Sequence, residues 1–141
     1  MRRRAFVALL WLALVLAAAS PAGHAWAAGS WVAEATAPTL RQRGWRYTTA
    51  ILRPRSSTPV AGRAIRSVSW RYGFGSPGPA PDVWLCGAGR CIDASTAVGR
   101  STGFAGLAPT TGFRFVFRLA GQGMLADPRR GGALQLVVNF E

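Results

Sequence analysis

Apolar and polar residues alternate with a period of two in the clearest stretches of this chain. The alternation occupies residues 68–74, 113–119 and 134–140, with mostly polar residues between the apolar positions. A period of two places the apolar side chains on one face of a strand, and large apolar residues there indicate a buried face. We therefore predict three half-buried strands. Their expected core residues are Trp70, Tyr72, Phe74, Phe115, Phe117, Leu136 and Val138.

Shorter strand-like stretches and breaks fill the rest of the chain. Further predicted strands cover residues 30–35, 45–52, 82–86 (continued as a hairpin at Ile92) and 100–104. Predicted turns and loops, rich in proline and glycine, cover residues 38–44, 53–62, 75–81 and 121–132. No stretch after residue 27 spaces apolar residues three and four apart over helical length. Short strands between such turns predict an all-β fold, a small antiparallel β-sandwich.

The first 27 residues have the composition of a secretory signal peptide. Three arginines, Arg2 to Arg4, precede an uncharged apolar run over residues 5–19, and Ala25-Trp26-Ala27 offers a small-residue cleavage site. A membrane anchor is the alternative, but it needs about 20 apolar residues, and this run is shorter. We predict export by the general secretory or the twin-arginine route and cleavage after Ala27. Residues 28–141 then form a single periplasmic β domain.

The chain has two cysteines, Cys86 and Cys91, separated by four residues that include two glycines. Such a loop fits a hairpin, which would place both cysteines on paired strands and close enough to bridge. Export favours the bridge, because disulfides persist in oxidising compartments. A redox pair is the alternative, but its thiols usually follow the Cys-x-x-Cys spacing. We therefore predict one hairpin disulfide, Cys86–Cys91.

The predicted mature chain contains few side chains suited to catalysis. It has no lysine, and the single histidine, His24, precedes the predicted cleavage site. Its serines therefore lack a histidine or lysine base. Its carboxylates form no paired motif and are those of Glu34, Asp82, Asp93, Asp127 and Glu141. We predict a protein without enzymatic activity, bound metal or cofactor.

The chain is strongly basic, and all of its basic residues are arginines. The formal net charge is +12 and falls to +9 when Arg2, Arg3 and Arg4 are removed. Among the rest, four lie on the polar side of predicted strands: Arg46, Arg71, Arg114 and Arg118. They form either a solvated face, whose stems cover apolar surface, or a cationic surface for an acidic partner. For the second interpretation we select Arg71, Arg114 and Arg118 as candidate partner-binding residues. Export argues against nucleic acid as that partner and leaves acidic proteins, anionic lipid headgroups or cell-wall polymers.

The order of several motifs resembles the flagellar FlhE family. Trp70-Arg71-Tyr72 is followed by a proline- and glycine-rich break and then by Leu85-Cys86-x4-Cys91-Ile92. Further matching elements are Phe104-x-Gly106, a strand containing Phe113, a glycine-rich turn before Leu125, and the closing Val138-Asn139-Phe140. The resemblance extends over residues 70–141 and is weaker from 31 to 65.

The resemblance implies a periplasmic protein that accompanies assembly of the bacterial flagellum. The implied roles are a chaperone or guard for rod or export-apparatus components and limitation of proton leak through the export gate. The resemblance implies no catalytic site and supplies no ligand residues at matching positions. An interpretation from another class stays open, namely an envelope binding protein or inhibitor that recognises an anionic polymer or an exported enzyme. Exposed strand edges and the arginine-bearing face are the two candidate contact surfaces.

Overall fold

The computed structural model describes residues 28–141, so the predicted signal peptide lies outside the described residues. The regular elements in this range are ten β-strands. In chain order they are β1 Gly29–Thr36, β2 Leu40–Arg43, β3 Arg46–Thr48, β4 Ile65–Phe74, β5 Asp82–Gly87, β6 Arg90–Asp93, β7 Val98–Ser101, β8 Phe113–Arg118, β9 Gly123–Arg129 and β10 Gly131–Phe140. This part of the chain contains no helix with the length and apolar character needed to cross a membrane.

The strands form two four-stranded sheets joined by a two-stranded ribbon. The first sheet has the order β1-β10-β4-β7, and the second has the order β3-β8-β5-β6. Strands β2 and β9 pair with each other, and every pair of neighbouring strands is antiparallel. Because the inward faces of the two sheets share one apolar core, the predicted antiparallel β-sandwich is confirmed.

Aromatic rings from β4 and β8 fill the space between the sheets. The ring of Tyr72 lies 5.3 Å from that of Phe117 and 6.4 Å from that of Phe115, measured between centroids, with both pairs edge-on. Such edge-to-face geometry is the favoured arrangement for packed aromatic rings. Burial is confirmed for all of the expected core residues except Phe74, which is half-buried at the end of β4.

Polar atoms of the large core residues are satisfied by main-chain carbonyls. The indole N–H groups of Trp31 and Trp70 donate to the carbonyls of Pro109 (2.8 Å) and Thr96 (2.9 Å). The hydroxyl of Tyr72 lies 3.0 Å from the carbonyl oxygen of Ala94 and 2.9 Å from that of Ser95, and donates to them. These bonds attach the segments after β6 and before β8 to the core.

Two predicted turn regions contain strands. Part of the predicted turn 38–44 forms β2, and most of the predicted loop 121–132 forms β9. These predictions were wrong because the β2–β9 ribbon leaves most of β9 exposed on both faces. Its sequence therefore shows no apolar alternation, which requires one buried and one solvated face.

Two other predicted strands differ in extent. The stretch 45–52 forms only β3 and an isolated bridge between Leu52 and Phe113. The ladder ends because the Thr49 side-chain hydroxyl accepts the hydrogen bond from the Phe115 N–H (3.0 Å). The weak strand expected at 100–104 lies earlier, as β7.

The chain bends between the sheets where β1 leads into β2 and β9 leads into β10. At this point the Ala37 N–H donates to the Gly132 carbonyl (2.8 Å). The Cα of Gly131 lies so close to the Ala37 carbonyl that a Cβ there would overlap with the main chain. The bend therefore requires glycine for close approach of two backbones.

We predict that Gly131→Ala destabilises the protein by at least about 1–3 kcal/mol, because neither backbone can move without breaking the ladder. Gly73→Ala is the matched control, since Gly73 lies in β4 and an added Cβ meets open space. We expect the control to change the free energy of unfolding by less than about 0.5 kcal/mol. Urea denaturation measures both, and equal stability of the two variants would contradict this account of the bend.

We also predict an alkaline loss of stability that depends on Tyr72. Burial, followed by the charge of Asp93, raises the pKa of Tyr72 from 10.0 to about 12. The folded protein thus holds this proton more tightly than the unfolded chain. The resulting stabilisation, about 2–3 kcal/mol, is complete below pH 10 and is lost as the pH rises towards 12.

Urea denaturation between pH 8 and pH 12 tests this prediction. Tyr72→Phe should be less stable than the wild type at pH 8, because the variant lacks the hydrogen bonds of the hydroxyl. Its free energy of unfolding should depend less on pH. Tyr47→Phe removes the other tyrosine of the chain and should keep the alkaline loss. An unchanged loss in Tyr72→Phe would contradict the assignment.

Candidate functional site

The three candidate partner-binding arginines lie on opposite sides of the sandwich. Arg71 projects from the outer face of β4 in the first sheet, whereas Arg114 and Arg118 project from the outer face of β8 in the second. All three are exposed. The structure therefore brings together only Arg114 and Arg118, which are four residues apart on one strand. Alternation identifies the outward side of a strand but not which sheet the strand joins. A partner role for these residues stays a prediction.

The predicted disulfide is present in the β5–β6 hairpin. Cys86 and Cys91 lie directly opposite each other, with their Cα atoms 4.0 Å apart. The connecting turn is tighter than the four-residue loop expected, because Gly87 pairs with Arg90 and only Ala88 and Gly89 form the turn. Both turn residues have positive φ, 51° and 72°, as a two-residue hairpin turn requires. No cysteine of residues 28–141 is free.

The carboxylates of residues 28–141 do not converge on a reaction centre. No group of three or more potential metal ligands occurs in this range. Asp93 is occupied locally, since its Oδ1 accepts hydrogen bonds from the Ser95 hydroxyl (2.6 Å) and the Ser95 N–H (3.1 Å). These bonds lower the pKa of Asp93. The arrangement shapes the turn after β6.

The longest open strand edge belongs to β1. Four strands end the two sheets: β1 has eight residues, β6 and β7 have four each, and β3 has three. Within residues 28–141, strand β1 pairs with β10 alone. Exposed edges are usually blunted by shortness, charge, proline or bulges. The single charged residue of β1 is Glu34, whose Oε1 accepts from the Gln135 side chain (3.3 Å).

The hydrogen-bonding direction of β1 follows from its register. Ala37, which follows β1, donates to Gly132 on the β10 side, and hydrogen-bonded pairs alternate along an antiparallel ladder. Val32 and Glu34 are each an odd number of positions from Ala37 along the chain. Their backbone N–H and C=O groups therefore point away from β10. Their backbone groups are available to an incoming strand. Strand edges were predicted as candidate contact surfaces, but no signal in the sequence indicates that β1 ends a sheet.

A groove of about 700 Å³ runs along this edge. Its far wall is the irregular segment 51–58, which contributes Ile51, Arg53, Arg55 and Thr58. The segment is fixed by Leu52, which is buried and exchanges two main-chain hydrogen bonds with Phe113 (2.6 and 2.9 Å). Val32 and Ile51 remain 50% and 46% exposed. The groove thus has open backbone groups on one side, apolar residues at its border and two arginines opposite.

A second groove of about 620 Å³ lies on the other side of the same segment, against the disulfide hairpin. Arg53 lines both grooves, and Arg90 and Arg114 line the second with it. The guanidinium of Arg53 rests on Gly112, where an added Cβ would lie 3.1 Å from its Cζ. Arg114 therefore shares a groove with Arg53, which also lines the β1 groove. Both grooves favour an anionic occupant.

Comparisons with known proteins agree on one family. The family model described as "Flagellar protein FlhE" matches residues 37–141. The chain is 30% identical to the flagellar protein FlhE of Escherichia coli, with 79% of this chain and 85% of that protein covered. It is 32% identical to that of Salmonella typhimurium, with 92% and 97% covered. A crystal structure titled as that of FlhE superposes with a TM-score of 0.74 at 30% identity, covering 81% of this chain and 97% of that one.

The match to the family model thus begins directly after β1 and includes the core strands β4 and β8, the disulfide hairpin and β10. The structural match covers the sandwich at a similar level of identity. The chain belongs to the flagellar protein FlhE family.

Proposed function

We propose that this chain is a non-enzymatic accessory protein of the bacterial flagellum, exported to the periplasm after removal of residues 1–27. It acts as a chaperone or guard for rod or export-apparatus components and so limits proton leak. Family membership supports the flagellar role. The disulfide and the signal-like composition of the first 27 residues support export.

The open edge of β1 is the observation that carries a guarding mechanism. A flagellar subunit that is not yet assembled can present an extended segment with unpaired backbone groups. Pairing with β1 would satisfy the outward groups of Val32 and Glu34 and those of the segment together. Such capture would keep the segment from pairing with other subunits.

Charge determines what kind of segment fits. Arg53 and Arg55 face the edge across the groove, so acidic side chains on the incoming strand would be stabilised there. A chain with net charge +9 seated at an export channel would also oppose proton entry by repulsion.

The arginine-bearing outer face of the second sheet supports a second candidate function. Arg46 and Arg118 lie opposite each other on β3 and β8, and Arg114 is on the same outer face. An anionic envelope polymer or an exported enzyme with an acidic surface would fit this face. Contacts of this kind weaken with salt, whereas backbone pairing at β1 depends on it little.

A pair of proline substitutions tests the open edge of β1 without disturbing the rest of the sheet. Val32→Pro removes an outward N–H from β1 and leaves the β10 ladder intact, as proline is tolerated on the solvent side of an edge strand. Val98→Pro is the matched control: Tyr72 bonds to Ala97, so the Val98 N–H points outward from β7 at the opposite edge. Val98 is 75% exposed.

In a strain lacking this gene, we expect defects in flagella, motility or proton retention without general loss of envelope integrity. Val98→Pro should restore the wild-type state, and Val32→Pro should fail to do so at equal protein level and thermal stability. Full restoration by Val32→Pro would contradict capture at β1. In the same assay, charge reversal at Arg114 and Arg118 tests the arginine-bearing face of the second sheet, and charge reversal at Arg71 tests the outer face of the first sheet. A deletion strain with normal flagella, motility and proton retention would contradict the flagellar role and favour the envelope binder.

A further inference from the structure

Two exposed apolar side chains lie at one end of the molecule, one in a turn and one directly after the adjacent turn. Trp45 is in the turn between β2 and β3, and Met124 follows the turn between β8 and β9. The turns are held together because the Gly44 N–H donates to the Leu119 carbonyl (2.8 Å). Trp45 is 60% exposed and Met124 is 72% exposed. By contrast, Trp31 and Trp70 are buried, with their indole N–H groups bonded.

Arginines flank these two side chains along the chain, and the carboxylate of Asp127 shares a surface pocket with one of them, Arg41. Residues 40–48 and 118–126 contain four arginines and no aspartate or glutamate. They are Arg41, Arg43, Arg46 and Arg118. Arg43 donates to the Ala120 carbonyl (3.2 Å) and so helps to hold the turns together. We call Trp45, Met124 and these four arginines the basic tip.

No ion pair within residues 28–141 involves the arginines of the basic tip. Arg46 lies directly opposite Arg118 across β3 and β8, and like charges at opposed positions destabilise a sheet. Asp82 is opposite Arg118 on its other side, but the ion pair found within residues 28–141 joins Arg66 and Glu141 instead. The fold therefore keeps repelling charges beside an exposed tryptophan, which an external anionic partner would compensate.

We propose that the basic tip binds the surface of a bilayer that contains anionic phospholipid. Tryptophan is favoured at the level of lipid headgroups, because its ring is apolar and its N–H is polar. Arginines around it would meet lipid phosphates. This inference goes beyond the proposed function and does not depend on it, since the β1 groove and the basic tip are formed by different residues.

A bilayer fits the basic tip better than a protein does. Trp45 lies in the turn between β2 and β3, Met124 lies at the start of β9, and the arginines lie on the adjoining strands β2, β3 and β8. Trp45 would therefore reach the boundary between headgroups and acyl chains, while the arginines behind it would meet phosphates. A protein partner would have to supply a pocket for Trp45 and separate acidic groups for each arginine.

Binding of residues 28–141 to vesicles tests the proposal. We expect cosedimentation with phosphatidylethanolamine–phosphatidylglycerol vesicles at 3:1, and none with phosphatidylcholine vesicles. Each surface arginine contributes about fivefold in affinity, so Arg41→Gln with Arg46→Gln should weaken binding by about 25-fold. Arg53→Gln with Arg55→Gln removes the same charge from the β1 groove. This control should weaken binding less than about threefold, because those arginines lie away from the basic tip.

Tryptophan fluorescence identifies the inserted residue. Brominated phosphatidylglycerol should quench the wild-type protein more than Trp45→Phe, and Trp45→Ala should weaken binding. Circular dichroism confirms that each variant is folded. Equal losses in the two arginine double variants would overturn the proposal, because only overall charge would then matter. The proposal would also be overturned if the protein did not bind vesicles. It would be overturned too if Trp45→Phe left the quenching unchanged and Trp45→Ala left the affinity unchanged. If polyglutamate bound the protein and shielded Trp45 while vesicles did neither, the basic tip would be assigned to a protein partner.

Discussion

The packing of aromatic rings from β4 against those from β8 is the contact on which the rest of this structure depends. Tyr72 lies edge-on to both Phe115 and Phe117, and its hydroxyl holds the segment after β6. Both strands occupy interior positions in their sheets. Their contact therefore fixes which faces are inward. The same alternation that buries the rings sends Arg71 to one outer surface and Arg114 and Arg118 to the other.

Because this packing occupies the inner faces of both sheets, the edge strands and the turns are the surfaces available for binding. Strand β1 has eight residues and one paired side. The segment beyond it is fixed by Leu52, whose side chain enters the core. The open edge is thus a consequence of the sandwich, because a barrel that closed β1 onto another strand would have no edge. Arg53 and Arg55 line the wall opposite this edge. The basic tip is formed independently, where the β2–β3 and β8–β9 turns meet.

Sequence reasoning predicted the parts of the fold that bury one face of a strand. The stretches around Trp70, Phe115 and Leu136 alternate because each strand has a core side and a solvent side. The cysteine spacing predicted the disulfide for a local reason, since a hairpin brings its own ends together. Strand β9 carries no such pattern, because both of its faces are largely exposed in the ribbon. Its proline and glycine residues therefore led to the prediction of a loop over residues 121–132.

The candidate sites were less accessible from sequence. Outward arginines could be recognised one strand at a time, but their grouping depends on which strands share a sheet. The open edge of β1 could not be recognised, because edge position is a property of strand order and not of the strand's own residues. Exposure of Trp45 was also hidden. Its alternation with Arg46 and Tyr47 resembles a half-buried strand, whereas the residue lies in a turn.

Site-specific photocrosslinking in living cells tests the central claim, that β1 is the surface by which this protein holds flagellar components. A photoreactive amino acid would replace Val32 at the open edge and, in a parallel strain, Val98 at the opposite edge of the same sheet. We expect the Val32 probe to capture a rod or export-apparatus protein and to do so at both low and high salt, because backbone pairing is weakly screened. The Val98 probe should capture little. Equal capture at both edges, or capture at Val98 alone, would contradict the account.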